Sequence, residues 1–131
     1  MPVIDTHLLI GVERGDEKAI LAFKAAAAAG TLIIPAVAAL EYLDGVAQSA
    51  AELRAMHESM EVRHTTDDLL TVASQLRADA RKKGVKARWA DILIAAEAVL
   101  AQTYVVSTNK RHFTQLGVPA WNYETEKGPP A

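Results

Sequence analysis

Three acids in this chain stand where acids are out of place. Asp5 closes the apolar run Val3-Ile4 and precedes a second aliphatic run, Leu8 to Ile10. Glu41 ends the small apolar segment I-P-A-V-A-A-L-E. Asp91 opens D-I-L-I-A-A-E-A, and Ile94, Ala95 and Ala98 follow it three, four and seven positions on. On a helix those spacings put Asp91 on an apolar face, where an unpaired charge is costly to bury. Each acid also has a local explanation. Asp5 and Asp91 suit helix N-caps. Glu41 suits a solvated helix stripe shared with Asp44 and Gln48. Taken together, the three suit carboxylates delivered to one place by separate elements. Such hard oxygens match Mg²⁺ or Mn²⁺. A cation held there offsets the repulsion between the acids, attracts a phosphate and activates water for phosphodiester displacement.

The elements that must position these acids follow from the pattern. Val3 to Asp5 reads as a strand, and Leu8, Leu9 and Val12 suit a short helix after it. Asp16 caps a second helix through Ala29, with Gly30 as its stop. Thr31 to Ile34 is a β-branched run bounded by Gly30 and Pro35, a strand signal. Helices are expected over Ala36 to Ser49 and Ala51 to Met60, then a short strand over Glu61 to His64. Thr65-Thr66-Asp67-Asp68 starts a helix that buries Leu69, Val72, Leu76 and Ala80 and ends at Gly84. Trp89 to Ala101 is helical, Thr103 to Ser107 a strand, and Pro119 to Tyr123 a last strand.

Strands alternating with helices predict an α/β sandwich with a mainly parallel sheet of four to five strands. In such sheets ligands bind beyond the carboxyl ends of the strands. Asp5 and Asn109 both fall at or just past predicted strand ends, so they face one crevice. The expected domain is 1–123, with a polar, mobile tail over 124–131.

The bulk composition narrows the rest. The chain has 131 residues, one ordinary domain, of which 50% are hydrophobic and 5% aromatic, so the core is aliphatic. It has no cysteine, which excludes disulfides, thiolate nucleophiles and finger-type zinc sites. No basic region precedes the first apolar stretch, and Ala25 to Leu40, broken by Gly30 and Pro35, falls short of the roughly 20 residues a bilayer span needs. A cytoplasmic protein without membrane contact is the expectation. A net charge of -2 lacks the broad basic footprint of a general nucleic-acid binder. Nucleic acid would have to be held by a local basic patch or by metal ions.

Four stretches, in this order, resemble the PIN-domain ribonucleases and most closely the VapC-like toxins of type II toxin–antitoxin pairs. V-I-D-T-H-L-L-I is similar to the family's opening strand with its Asp-Thr pair. I-P-A-V-A-A-L-E-Y-L-D-G resembles the segment that carries its second acid. W-A-D-I-L-I-A-A-E-A resembles its Asp-apolar-Ile-Ala-Ala block, and V-V-S-T-N-K-R-H-F its last strand end. The resemblance runs from about Val3 to Asn122. It implies a three-layer α/β/α fold and an Mg²⁺- or Mn²⁺-dependent endoribonuclease, homodimeric or in a larger assembly with a VapB-like antitoxin. It assigns metal-site carboxylates to Asp5, Glu41 and Asp91, and neighbouring hydroxyls to Thr6 and Ser107. One departure stands out. Many members carry a fourth acid in the last block, where this chain offers Asn109 and His112. Three carboxylates support one tightly held ion more readily than two.

Arg81, Lys82, Lys83, Lys86 and Arg88 precede Asp91, and Lys110 and Arg111 follow Asn109. Lys86, Arg88, Lys110 and Arg111 are candidate RNA phosphate contacts. The first cluster also suits a helix C-terminus followed by a solvated loop. Two other classes compete with a nuclease. The missing fourth acid is compatible with a non-catalytic module that binds RNA or a protein. An Asp after the first strand is compatible with aspartate phosphorylation, but His7 stands where a phosphatase of that kind needs a second Asp.

Overall fold

The computed structural model describes residues 1–130. Its elements are β1 (Val3–Ile4), α1 (Thr6–Glu13), α2 (Glu17–Ala28), β2 (Ile33–Pro35), α3 (Ala36–Leu43), α4 (Ser49–Ser59), β3 (Glu61–Arg63), α5 (Asp67–Lys82), α6 (Trp89–Ala101), β4 (Val105–Val106), α7 (Lys110–Gln115) and β5 (Ala120–Trp121). The strands form one sheet in the order β3-β2-β1-β4-β5. Every pairing is parallel. Parallel sheets covered by helices are buried on both faces, which is why their strands read as unbroken apolar runs. Val3, Ile4, Ile33, Ile34, Val105 and Val106 are accordingly fully buried. Helices fill the remaining core with Ala19, Ala22, Ala26, Ala38, Ala73, Ala95 and Ala96. With so few aromatics, Phe113 of α7 is the largest side chain fully enclosed.

Several boundaries differ from the sequence expectation, each for a local reason. The helix expected over Ala36 to Ser49 is shorter, and the one expected over Ala51 to Met60 begins earlier, at Ser49. α3 stops at Leu43, and Gly45 and Val46 close turns onto the carbonyls of Tyr42 and Leu43. Glu41 therefore shares no continuous helical stripe with Asp44 and Gln48. Asp91 is not an N-cap. Arg88 holds that position in α6, and Asp91 is the third helical residue. The expected strands over Thr103 to Ser107 and Pro119 to Tyr123 pair only over Val105–Val106 and Ala120–Trp121. α7 was not expected, because K-R-H-F-T-Q has neither an apolar stripe nor a side-chain cap at Asn109. By contrast, Asp16 caps α2 as expected, and α5 starts within the expected stretch Thr65-Thr66-Asp67-Asp68, with Thr66 as its cap. Gly84, at φ 71°, supplies the left-handed turn after α5.

The apolar face of α6 also hides an acid. Glu97 is 2% exposed. Its Oε2 lies 3.9 Å from Arg63 Nη1, while Arg63 Nε also reaches Glu61 at 3.3 Å. Burial pushes the Glu97 carboxyl above the usual range, Arg63 opposing and Glu61 adding to the rise. The folded state thus holds this proton more tightly than the unfolded chain. Ionised Glu97 weakens the fold at high pH, and the penalty fades as pH falls through the raised value. Glu97→Gln should therefore stabilise the protein most at about pH 8 and least at about pH 5. Urea unfolding across that range checks this; a gain independent of pH would contradict it.

Candidate active site

The sequence places Asp5 directly after β1 and Ser107 directly after β4, the two neighbouring central strands. Asp5 is 4% exposed and Ser107 fully buried. Ser107 Oγ donates to Asp5 Oδ2 at 2.7 Å and accepts from the Asn109 amide at 2.9 Å. The other carboxylate oxygen, Oδ1, accepts from the Thr6 amide at 2.7 Å, so Asp5 does cap α1. Capping occupies part of one oxygen and leaves further lone pairs for a ligand. The local and the functional explanations of Asp5 therefore coexist.

Thr6 connects this centre to the second acid. Its Oγ1 donates to Glu41 Oε1 at 3.1 Å, with the Ala38 carbonyl at 3.4 Å. Glu41 reaches it because α3 begins immediately after β2, beside β1 in the sheet. Asp91 arrives from the first turn of α6. Asp5, Thr6, Glu41, Asp91 and Asn109 all line one cleft of about 340 Å³, together with His7, Lys86, Arg88 and His112. The structure thus brings the three expected acids and Asn109 to one opening at the carboxyl edge of the sheet.

Each acid is already engaged. Arg88 Nη2 lies 3.8 Å from Glu41 Oε2, and His112 Nδ1 lies 3.6 Å from Asp91 Oδ2. His7 Nδ1 lies 3.8 Å from Asp5 Oδ2. The Asp5 carboxylate holds the His7 imidazole above the usual histidine range, burial opposing and the charges of Glu41 and Asp91 adding. Among the described residues, no three acidic or histidine side chains stand close enough to share one ion. The donor chemistry nevertheless fits a hard divalent cation. The Asp5 side chain is 6% exposed and Asp91 15%, against 38% for Glu41, so the two best-sheltered acids lie where charge is most costly to leave unpaired. Arg88 and His112 would compete with an ion shared by all three.

Among the expected basic contacts, Lys86 and Arg88 line the cleft, whereas Lys110 and Arg111 do not. Lys110 Nζ is drawn to Glu126 Oε2 at 2.8 Å, and the Glu126 carboxylate also accepts from the Asn122 amide at 2.9 Å. Lys110 holds the Glu126 carboxyl below its usual range. The Trp121 indole donates to the Glu126 carbonyl at 3.2 Å, and Asn122 Nδ2 to the Thr108 carbonyl at 3.4 Å. Residues 122–126 are thereby bonded to the loop that presents Asn109. Ala131, at the end of the expected tail, lies outside the described residues. Sequence reading passed over Glu126 because one acid in a polar terminal stretch carries no signal. It passed over the pairing of His112 with Asp91 because α7 was not foreseen.

No curated protein matches the chain in sequence. Solved structures do match in fold. FitAcB from Neisseria gonorrhoeae superposes with a TM-score of 0.79 at 17% identity, covering 96% of this chain and all of the other. DNA-bound VapBC from Salmonella typhimurium gives 0.77 at 20%, covering 94% and 99%. A toxin–antitoxin complex from Klebsiella pneumoniae gives 0.69 at 20%, covering 86% and 90%. The family model of the PIN domain matches residues 3–118, a span that holds every residue of the acidic cleft. On that match and on the parallel sheet that carries the cleft, this chain belongs to the PIN domain family.

Proposed function

We propose that the protein is a metal-dependent endoribonuclease of the VapC-like toxin type. The observation that carries the proposal is the convergence of Asp5, Glu41, Asp91 and Asn109 on one cleft rimmed by Lys86 and Arg88. Asp5, Glu41 and Asp91 would hold Mg²⁺ or Mn²⁺, with Asn109 offering a neutral oxygen. The bound cation would activate water and offset the charge that develops on the phosphate. Ser107 and Thr6 fix Asp5 and Glu41 before substrate arrives, which limits the reorganisation the reaction requires. Arg88 and Lys86 attract the RNA phosphate. As Arg88 moves onto substrate it frees Glu41, so substrate and metal binding support each other. Residues 1–123 form the catalytic unit and 124–131 its tail.

The partners follow from the fold neighbours, one of which is a toxin–antitoxin complex. A VapB-like antitoxin is the proposed inhibitor, with the toxin a homodimer or part of a larger assembly with it. Among the described residues no helix is long and apolar enough to cross a membrane. The proposed place of action is the cytoplasm, where RNA is accessible.

The test is purified protein on mixed RNA with Mg²⁺, Mn²⁺ or chelator. Cleavage that persists in chelator would rule out the metal mechanism. A second reading, a PIN-fold module that binds RNA or a partner without cleaving it, is favoured by Arg88 and His112 standing against Glu41 and Asp91 and by Asn109 in place of an acid. Full binding of RNA with no cleavage under any metal would select it. Arg88 also yields its own prediction. Arg88→Ala should tighten Mn²⁺ binding by about threefold, from one released exposed ion pair, while weakening RNA binding. Calorimetry with Mn²⁺ and with RNA separately checks the opposed signs; both affinities falling together would contradict them.

A further inference from the structure

The two tryptophans of this chain are used in opposite ways. Trp121 is 5% exposed and packs into the core, whereas Trp89 is 53% exposed at the first position of α6. The indole of Trp89 is nevertheless not loose. The Arg77 guanidinium lies 4.9 Å from its ring centroid. Arg77 Nη1 in turn donates to the Ala87 carbonyl at 2.8 Å, in the loop that enters α6. One face of the ring is therefore backed by a cation that is itself tied to the backbone. That arrangement fixes an aromatic plane at the surface.

Its position relative to the cleft gives this plane a use. Lys86, Ala87 and Arg88 line the cleft, and Trp89 follows them directly in the chain. Trp89 and Asp91, two positions apart, point to opposite sides of the first helical turn. The indole is thus not part of the cleft lining but follows Arg88, which is, by one residue. A single strand that lays a phosphate against the acids and leaves the cleft across Arg88 meets the indole next. Cationic rims joined to exposed aromatic faces are how proteins hold unpaired bases, since every base has a π-face to stack. Bases within a duplex are already stacked and cannot use it.

We infer that Trp89, backed by Arg77, is a stacking platform for an unpaired nucleobase adjoining the cleaved phosphate. This inference rests on the nuclease reading above and adds to it a subsite for one unpaired base. The platform is sequence-tolerant, so selectivity among bases would come from elsewhere.

The test measures binding of a short single-stranded RNA, of the same RNA with abasic sites introduced one nucleotide at a time, and of a matching duplex. The protein is the Asp91→Asn variant, which holds RNA uncut, with Trp89 intact or changed to Phe or Ala. Trp89→Ala should weaken binding of the intact strand about tenfold or more, and Trp89→Phe by about threefold or less. One abasic position should weaken the Trp89-intact protein by the same factor, and Trp89→Ala should then add nothing. Tryptophan fluorescence should be quenched by the intact strand and not by that abasic one. Thermal melts identify any variant that fails to fold, in which case Trp89→Phe and the abasic series decide. Equal affinity of Trp89→Ala and its parent for the intact strand would overturn the inference, as would an equal loss on every abasic strand. Altered self-association in sedimentation with RNA binding unchanged would assign the indole to a contact between copies, and would also overturn it. In either case RNA binding persists and the nuclease reading stands; no RNA binding by the Trp89-intact protein would remove both.

Discussion

Asp91→Asn should abolish RNA cleavage while leaving the fold intact. The substitution keeps the side chain's size and one carbonyl oxygen and removes only the charge. Among the described residues α6 presents Asp91 to the cleft without a hydroxyl bonded to it, unlike Asp5 and Glu41. His112 Nδ1 stands 3.6 Å from Asp91 Oδ2. Loss of a preorganised electrostatic group at a reacting phosphate costs about a hundredfold or more in rate. Stability should change little. Asp91 sits in the first turn of α6, where a negative charge is favoured by about 0.3–1 kcal/mol. The contact with the exposed His112 ring adds no more than that. Single-turnover cleavage with Mn²⁺ and a parallel urea melt check both halves. A loss of several kcal/mol would make Asp91 a structural residue, and retained cleavage would remove it from the active site.

Asp5→Ala should lose cleavage as completely, but should also destabilise the protein. Here the acid is woven into the fold. Ser107 Oγ loses its buried acceptor and the Thr6 amide loses its cap. A buried donor left without a partner costs about 1–3 kcal/mol, and a lost N-cap about 1 kcal/mol. The expected loss is therefore about 2–4 kcal/mol. Asp5→Asn distinguishes the two roles, since its carbonyl oxygen still accepts one of these hydrogen bonds. It should recover much of the stability and none of the cleavage. Recovery of cleavage by Asn would mean that the Asp5 charge is not needed, and the metal-site assignment would fall with it.

These two acids also mark what the sequence could and could not convey. Asp5 was legible because a carboxylate at the end of a β-branched run is chemically unexpected. Its cap on α1 and its place in the cleft are both visible in V-I-D-T. Asp91 was legible as a charge on an apolar face, and the helix expected over Trp89 to Ala101 is α6; what failed is the local alternative of Asp91 as an N-cap, since Arg88 holds that position. Glu41 was legible only through its surroundings, and the stripe that offered a rival explanation ended at Leu43. The parallel sheet followed from alternation of strands and helices, though strands two residues long gave no firm boundaries. What the sequence withheld were pairings between distant polar side chains. Nothing local ties Lys110 to Glu126, Arg63 to Glu97 or His112 to Asp91. Such contacts depend on how elements meet across the sheet, which periodicity does not encode.

The engaged state of the acids gives the account its most direct test. Three carboxylates face one cleft, yet each already has a partner in the protein: Ser107 for Asp5, Thr6 and Arg88 for Glu41, and His112 for Asp91. If the site is built for a divalent ion, that ion must outcompete Arg88 and His112. Titration of Mn²⁺ into the metal-free protein by calorimetry measures this without reference to RNA or to turnover. The account predicts saturable binding at a single tight site, weakened about tenfold or more by Asp91→Asn. Absence of binding at millimolar Mn²⁺, or binding unchanged by Asp91→Asn, would contradict it.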